Sequence, residues 1–148
     1  MQHFLLSVHI LAGIVFIGGS AVATSLFSRY APVVGDADAP PRSRAVAVAL
    51  HRITGTYALL GLIVPVVGIV LAGVQQRLGE VWITVAMALT FIAAALLASM
   101  IHPMQRQALA QPDDGRRLRT LSMLAGAYNL LWAVVVVLMI VRPGSSLG

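Results

Sequence analysis

The chain has no cysteine and no lysine. Without thiols there is neither a disulfide framework nor a thiolate metal site. Acidic side chains number five (Asp36, Asp38, Glu80, Asp113 and Asp114), and all lie in short polar connections, none in an apolar run. That argues against a carboxylate proton relay or ion-coupling site at membrane depth. No Ser-His-Asp grouping and no His-Glu metalloprotease motif is formed, and no catalytic or metal site is read from the residues. Charged residues make up only 10% of the 148 positions, against roughly 25% in soluble domains.

What is present is apolar length. Hydrophobic residues make up 59% of the chain and the mean hydropathy is +0.90. A bilayer core takes about 20 residues of helix, and helices satisfy their own backbone where no water is available. Four segments qualify, at about 4–28, 45–74, 81–101 and 120–141. They predict an all-α fold: one four-helix transmembrane bundle over residues 1–148, running up and down with antiparallel neighbours. Ala21-Val22-Ala23 imitates a signal-peptide cleavage site, but no Lys or Arg precedes the run and the run is long, so a retained helix is expected.

All ten basic residues are Arg. They punctuate apolar runs instead of forming a stripe, which points to a lipid bilayer and not to nucleic acid. Arg29, Arg42, Arg44 and Arg52 flank the first connection, and Arg106, Arg116, Arg117 and Arg119 fill the third. Only Arg77 and Arg142 lie on the other side. Eight against two puts the first and third connections in the cytoplasm and both termini outside. The first connection carries Pro32, Gly35, Asp36, Asp38, Pro40 and Pro41, breaker chemistry with little to bury. The second, residues 75–80, is short, and Pro112-Asp113-Asp114-Gly115 in the third is a turn signature.

At 100° per residue, His9, Gly13, Ser20 and Thr24 share one face of the first helix. Such a stripe leaves room for a flat ligand, and equally suits close packing through small residues. Thr54, Gly61, Pro65, Gly68 and Ala72 share a face of the second helix, which Pro65 is expected to kink. Thr84, Phe91, Ala95 and His102 align on the third. Tyr128, Asn129 and Trp132 mark the fourth, where Asn129 is expected to hydrogen-bond across to another helix. His51 opens helix two and His102 closes helix three, so they can approach at one membrane surface, while His9 lies near the other and His3 is terminal. Two readings compete for "ALHRITG" at 49–55. His51 and Arg52 are either a ligand handle, with His51 and His102 as an axial haem pair, or a polar rim that snorkels toward headgroups.

Two resemblances meet at these residues. His51-Arg52-Ile53-Thr54-Gly55 resembles the His-Arg-x-Thr-Gly signature of the cytochrome b anchor of succinate dehydrogenase, which borders a quinone site. "SVHILAGIVFIGGSAVATSLFSRYA" is similar to the opening helix of HemJ-type protoporphyrinogen oxidases and copper-resistance D-like membrane proteins. That similarity implies haem b as cofactor and His9 as a ligand. The ending "LMIVRPG" resembles a family of uncharacterised four-span bacterial integral membrane proteins, implying a bacterial plasma membrane. The Lys-bearing third helix of the HemJ-type enzymes has no counterpart here, because the chain has no Lys.

The residues therefore favour a small, non-catalytic accessory or packing subunit that associates with other membrane subunits or with its own copies. A b-haem or quinone-binding redox protein using His9, His51, Arg52 and His102 is the alternative. A small channel or transporter working at the Pro65 kink is a weaker third reading.

Overall fold

The computed structural model describes residues 1–35 and 41–145; Asp36, Asp38 and Pro40 of the first connection lie outside them. Four helices are long and apolar enough to cross a membrane: α1 (Gln2–Tyr30), α2 (Arg44–Val74), α3 (Val81–Ala110) and α4 (Arg116–Val141). No strand occurs among the described residues. Helix α1 packs against α2 and α4, α3 packs against α4, and α2 meets α3 chiefly at the arginine-rich end. The core is densest at that same end, around Phe27, Ala47, Ala93, Leu97, Ile101, Leu118, Leu121 and Tyr128.

The helices outrun the apolar segments that the sequence marks. α3 continues through Pro103 to Ala110, so Arg106 is helical, and α4 begins at Arg116. Bilayer thickness limits the apolar stretch, not the helix, and the extra turns stand beyond the hydrocarbon. Their ends are capped. Asp113 accepts from the amides of Gly115 (2.9 Å) and Arg117 (3.1 Å) at the start of α4, and Gly115 takes the left-handed φ of +95° that this turn requires. These amide bonds, led by Gly115, hold the Asp113 carboxyl below its ordinary range. Three arginines cap C-terminal carbonyls, where the helix dipole favours a cation. Arg42 donates to Ala31 (2.7 Å) and Ser28 (3.3 Å) at the end of α1, Arg44 to Leu109, and Arg117 to Gln111 (2.9 Å) and Gln107 (3.3 Å).

The first connection buries more than its breaker residues imply. Ala31 and Pro32 are buried, Val33 packs against the core, and Val34 donates to the Asp113 carbonyl at 2.9 Å. At the opposite end Arg77 pairs with Glu80 at 3.8 Å, the Trp82 indole donates to Glu80, and Arg142 stands over the Trp82 ring.

Three irregularities reorient the helices. Residues Gly61 and Leu62 form a turn inside α2, four residues before Pro65. Proline has no N–H for the Gly61 carbonyl, which accepts instead from Val64 at 3.1 Å. α1 and α3 each contain one π-helical turn, Gly13–Ile17 and Leu97–Ile101. The second lies directly before Pro103, whose missing N–H and ring disturb the Ser99 carbonyl. A wide turn holds extra residues, so it rotates everything beyond it relative to a uniform helix. This overturns the expected face Thr84–Phe91–Ala95–His102: Phe91 is 64% exposed, whereas His102 turns into the bundle. It also divides the α1 stripe. His9 faces α2, Ser20 faces Tyr128 of α4 at 2.8 Å, and Gly13 opens onto nothing within 4 Å.

Candidate functional site

The polar side chains of the spans converge most closely where α2 meets α3. His51 and His102 stack there with ring centroids 4.3 Å apart and planes 20° from parallel. Nδ1 of His51 lies 3.0 Å from Oε1 of Gln105. Nε2 of Gln105 reaches Thr54 Oγ1 at 3.4 Å, and that hydroxyl donates to the Leu50 carbonyl at 2.9 Å. The direction of the chain follows from its last link. A carbonyl only accepts, so the Thr54 hydroxyl is spent as donor and takes the Gln105 amide hydrogen. Oε1 then faces His51, whose Nδ1 must carry a proton. The neutral ring is left with its lone pair on Nε2. Gln105 and Thr54 are both 0% exposed, so each depends on this relay for hydrogen bonds that lipid cannot supply.

His102 owes its place to a glycine. A Cβ at position 55 would stand 2.8 Å from its Nε2, so only Gly55 lets the ring lie against α2. The same device recurs twice, once on α2 and once on α1. A Cβ at Gly68 would stand 2.9 Å from Cε1 of His9, and one at Gly19 of α1 would collide with the Tyr57 ring at 2.3 Å. His9 is further fixed by a 3.0 Å contact from Nδ1 to the Val64 carbonyl, which requires the proton on Nδ1.

Of the four residues singled out by sequence, His51 and His102 meet, while His9 packs on α2 in the other half of the bundle. Arg52 is exposed, and it forms no ion pair or hydrogen bond among the described residues. The expected His51–Arg52 unit therefore separates: one residue step on a helix turns Arg52 by about 100° away from the stacked rings. Sequence reasoning missed Gln105, and it named Thr54 and Gly55 without giving either a part in the histidine contact. Gln105 stands one turn beyond His102, a signal visible once α3 is extended past Pro103.

The stacked pair does not fit a haem. Axial imidazoles approach iron from opposite faces of the macrocycle, and rings in face-to-face contact leave no space for one between them. Among the described residues no three His, Asp or Glu side chains group to hold a metal ion. His9 has Nε2 unused in its hydrogen bonding, with Nδ1 oriented by a carbonyl as second-shell partners orient metal-bound histidines; one such nitrogen supplies one ligand.

Two cavities complete the picture. One of about 30 Å³, the room of roughly one water, lies beside the α2 kink between Gly61, Pro65, Thr90, Tyr128 and Trp132. The indole N–H of Trp132 is buried without a hydrogen bond among the described residues. The other is an open groove of about 280 Å³ between α1 and α4, lined by Ala21, Val22, Ser25, Leu26 and Asn129. At its floor Asn129 donates to Ser25 at 2.8 Å, the cross-helix bond expected of it. Comparison of the chain with models of known protein families, with curated proteins and with solved structures finds no match.

Proposed function

We propose that this small multi-pass membrane protein is a non-catalytic packing subunit of a larger membrane assembly, and that the α1–α4 groove receives the partner. The groove carries the reading. Membrane helices associate through small residues that admit close approach and through polar side chains that bond across the contact. Here Ala21 and Ser25 of α1 adjoin Asn129 of α4. Ser122, Gly126 and Ala133 are exposed on the face of α4 that Asn129 shares. The Oδ1 of Asn129 is buried and has no hydrogen-bond partner among the described residues. Only 11% to 22% of each apolar span is buried inside the chain, which leaves ample surface for a neighbour.

His9, His51 and His102 support the same reading, because each sits against a helix backbone or another side chain that uses it for packing. The axial-pair form of the haem reading gains nothing from the His51–His102 stack. A conduction role gains as little from a one-water cavity beside the kink.

The test is site-specific photocrosslinking from position 22 or 126 in native membranes. The reading expects one adduct of fixed mass, weakened by Asn129→Leu. Crosslinks to lipid alone from both positions would refute it.

A further inference from the structure

We infer that the α2–α3 groove at the arginine-rich end binds the phosphate of an anionic phospholipid, gripped between Arg52 and Arg106. Among the described residues most arginines are already engaged. Arg42, Arg44 and Arg117 cap helix ends, Arg77 and Arg116 face carboxylates, and Arg142 covers Trp82. The other four, Arg29, Arg52, Arg106 and Arg119, are exposed and pair with no carboxylate among the described residues, and of these Arg52 and Arg106 stand beside the α2–α3 contact made by His51 and Gln105.

Their positions follow from helix geometry. α2 and α3 are antiparallel and touch through His51 and Gln105. One residue further along each chain is a turn of about 100°. Because the helices run oppositely, those two turns are of opposite sense seen from one end, so Arg52 and Arg106 swing to the same side of the pair. Burial records the resulting layers. Thr54 and Gln105 are fully buried, His51 and His102 half-buried, and Arg52 and Arg106 exposed as the two lips of the groove. His102 stands one helical turn from Arg106 on α3.

Two guanidiniums at one lip suit a phosphate, which accepts several charge-assisted hydrogen bonds at once. A lipid phosphate is favoured over a soluble one by what continues the groove. Beyond the arginines both helices expose apolar side chains to lipid, Leu59 and Ile63 on α2 and Phe91 and Ala95 on α3. Acyl chains can lie along this surface while the headgroup stays with the arginines. Basic clefts between helices at the membrane surface are where anionic headgroups dock. This site is independent of the α1–α4 groove, so either assignment can fail without the other.

The test uses the full chain in mild detergent, with native mass spectrometry and thermal unfolding after addition of phosphatidylglycerol, phosphatidylcholine or inorganic phosphate. Phosphatidylglycerol should remain as a discrete adduct and raise the midpoint, while the other two should do neither. The Arg52→Gln/Arg106→Gln double variant should weaken that binding by roughly tenfold or more, and Arg116→Gln/Arg119→Gln should leave it unchanged. If the glutamine pair fails to fold, Arg52→Lys/Arg106→Lys takes its place and should lose part of the affinity through loss of the planar fork. Equal binding by the double variant, equal binding of phosphatidylcholine, or equal stabilisation by inorganic phosphate would each overturn the assignment.

Discussion

The imidazole of His102 fills the space that any side chain at Gly55 would need, with Nε2 standing 2.8 Å from where a Cβ would be. Gly55→Ala should therefore push the ring off His51 and cost about 1 kcal/mol or more, as overpacking does. His102→Ala in the same chain should recover most of that loss in a double-mutant cycle. Gly13→Ala is the control: it meets nothing within 4 Å and should be neutral or stabilise by up to about 1 kcal/mol. Unfolding in detergent of five proteins, the native chain, the two single variants of the cycle, their double variant and Gly13→Ala, measures all of these terms.

Breaking the relay should separate His51 from Arg52. His51→Ala leaves Oε1 of the buried Gln105 without its donor. An orphaned buried acceptor costs about 1–3 kcal/mol, although membrane-embedded hydrogen bonds average nearer 0.6 kcal/mol. Arg52→Gln should change stability by less than about 0.5 kcal/mol. Equal losses from the two variants would mean that the relay does not hold the helices together.

Some of this was legible in the residues, and the reason lies in which physical terms a sequence exposes. Four spans follow from apolar length against bilayer thickness, and the bond from Asn129 to Ser25 follows from the cost of an amide in hydrocarbon. The approach of His51 to His102 follows from their places at the ends of antiparallel helices. Side-chain azimuth was not legible, because a uniform 100° step takes no account of the π turns at Gly13–Ile17 and Leu97–Ile101. Gln105 was hidden for a related reason: it lies in a polar stretch that reads as a loop, yet it is fully buried in α3.

Asn129→Leu should lower stability in detergent by about 0.6 kcal/mol and by no more than roughly 2 kcal/mol, the span of interhelical hydrogen bonds in membranes. If the partner reading holds, its effect on crosslinked adduct should exceed that modest loss of stability. A stability change of several kcal/mol would instead make Asn129 an internal keystone.

Acid should loosen the start of α4. The folded Asp113 carboxyl titrates below its ordinary value because the Gly115 and Arg117 amides donate to its charged form. Its contribution is therefore complete above the ordinary carboxylate range and is lost as pH falls through the lower, folded value. Amide exchange over residues 116–119 should accelerate in that acid window in the native chain. In Asp113→Asn the same amides should exchange faster at neutral pH and show a smaller acid step.

Orientation is testable because the chain has no cysteine of its own. With eight arginines at one end and two at the other, Gly79→Cys should react with a membrane-impermeant maleimide in intact cells. Asp114→Cys should react only after permeabilisation. The reverse pattern would invert the sidedness assigned to His51 and to the Arg52–Arg106 groove.

The most direct test of the histidines as packing elements is the absorption spectrum of the purified protein after expression with ample haem. Packing through Gly55, Gly68 and Gln105 predicts no Soret band and no sharp α and β bands on reduction. A stoichiometric b-type spectrum that disappears in His9→Ala or His51→Ala would contradict the account and restore the redox reading.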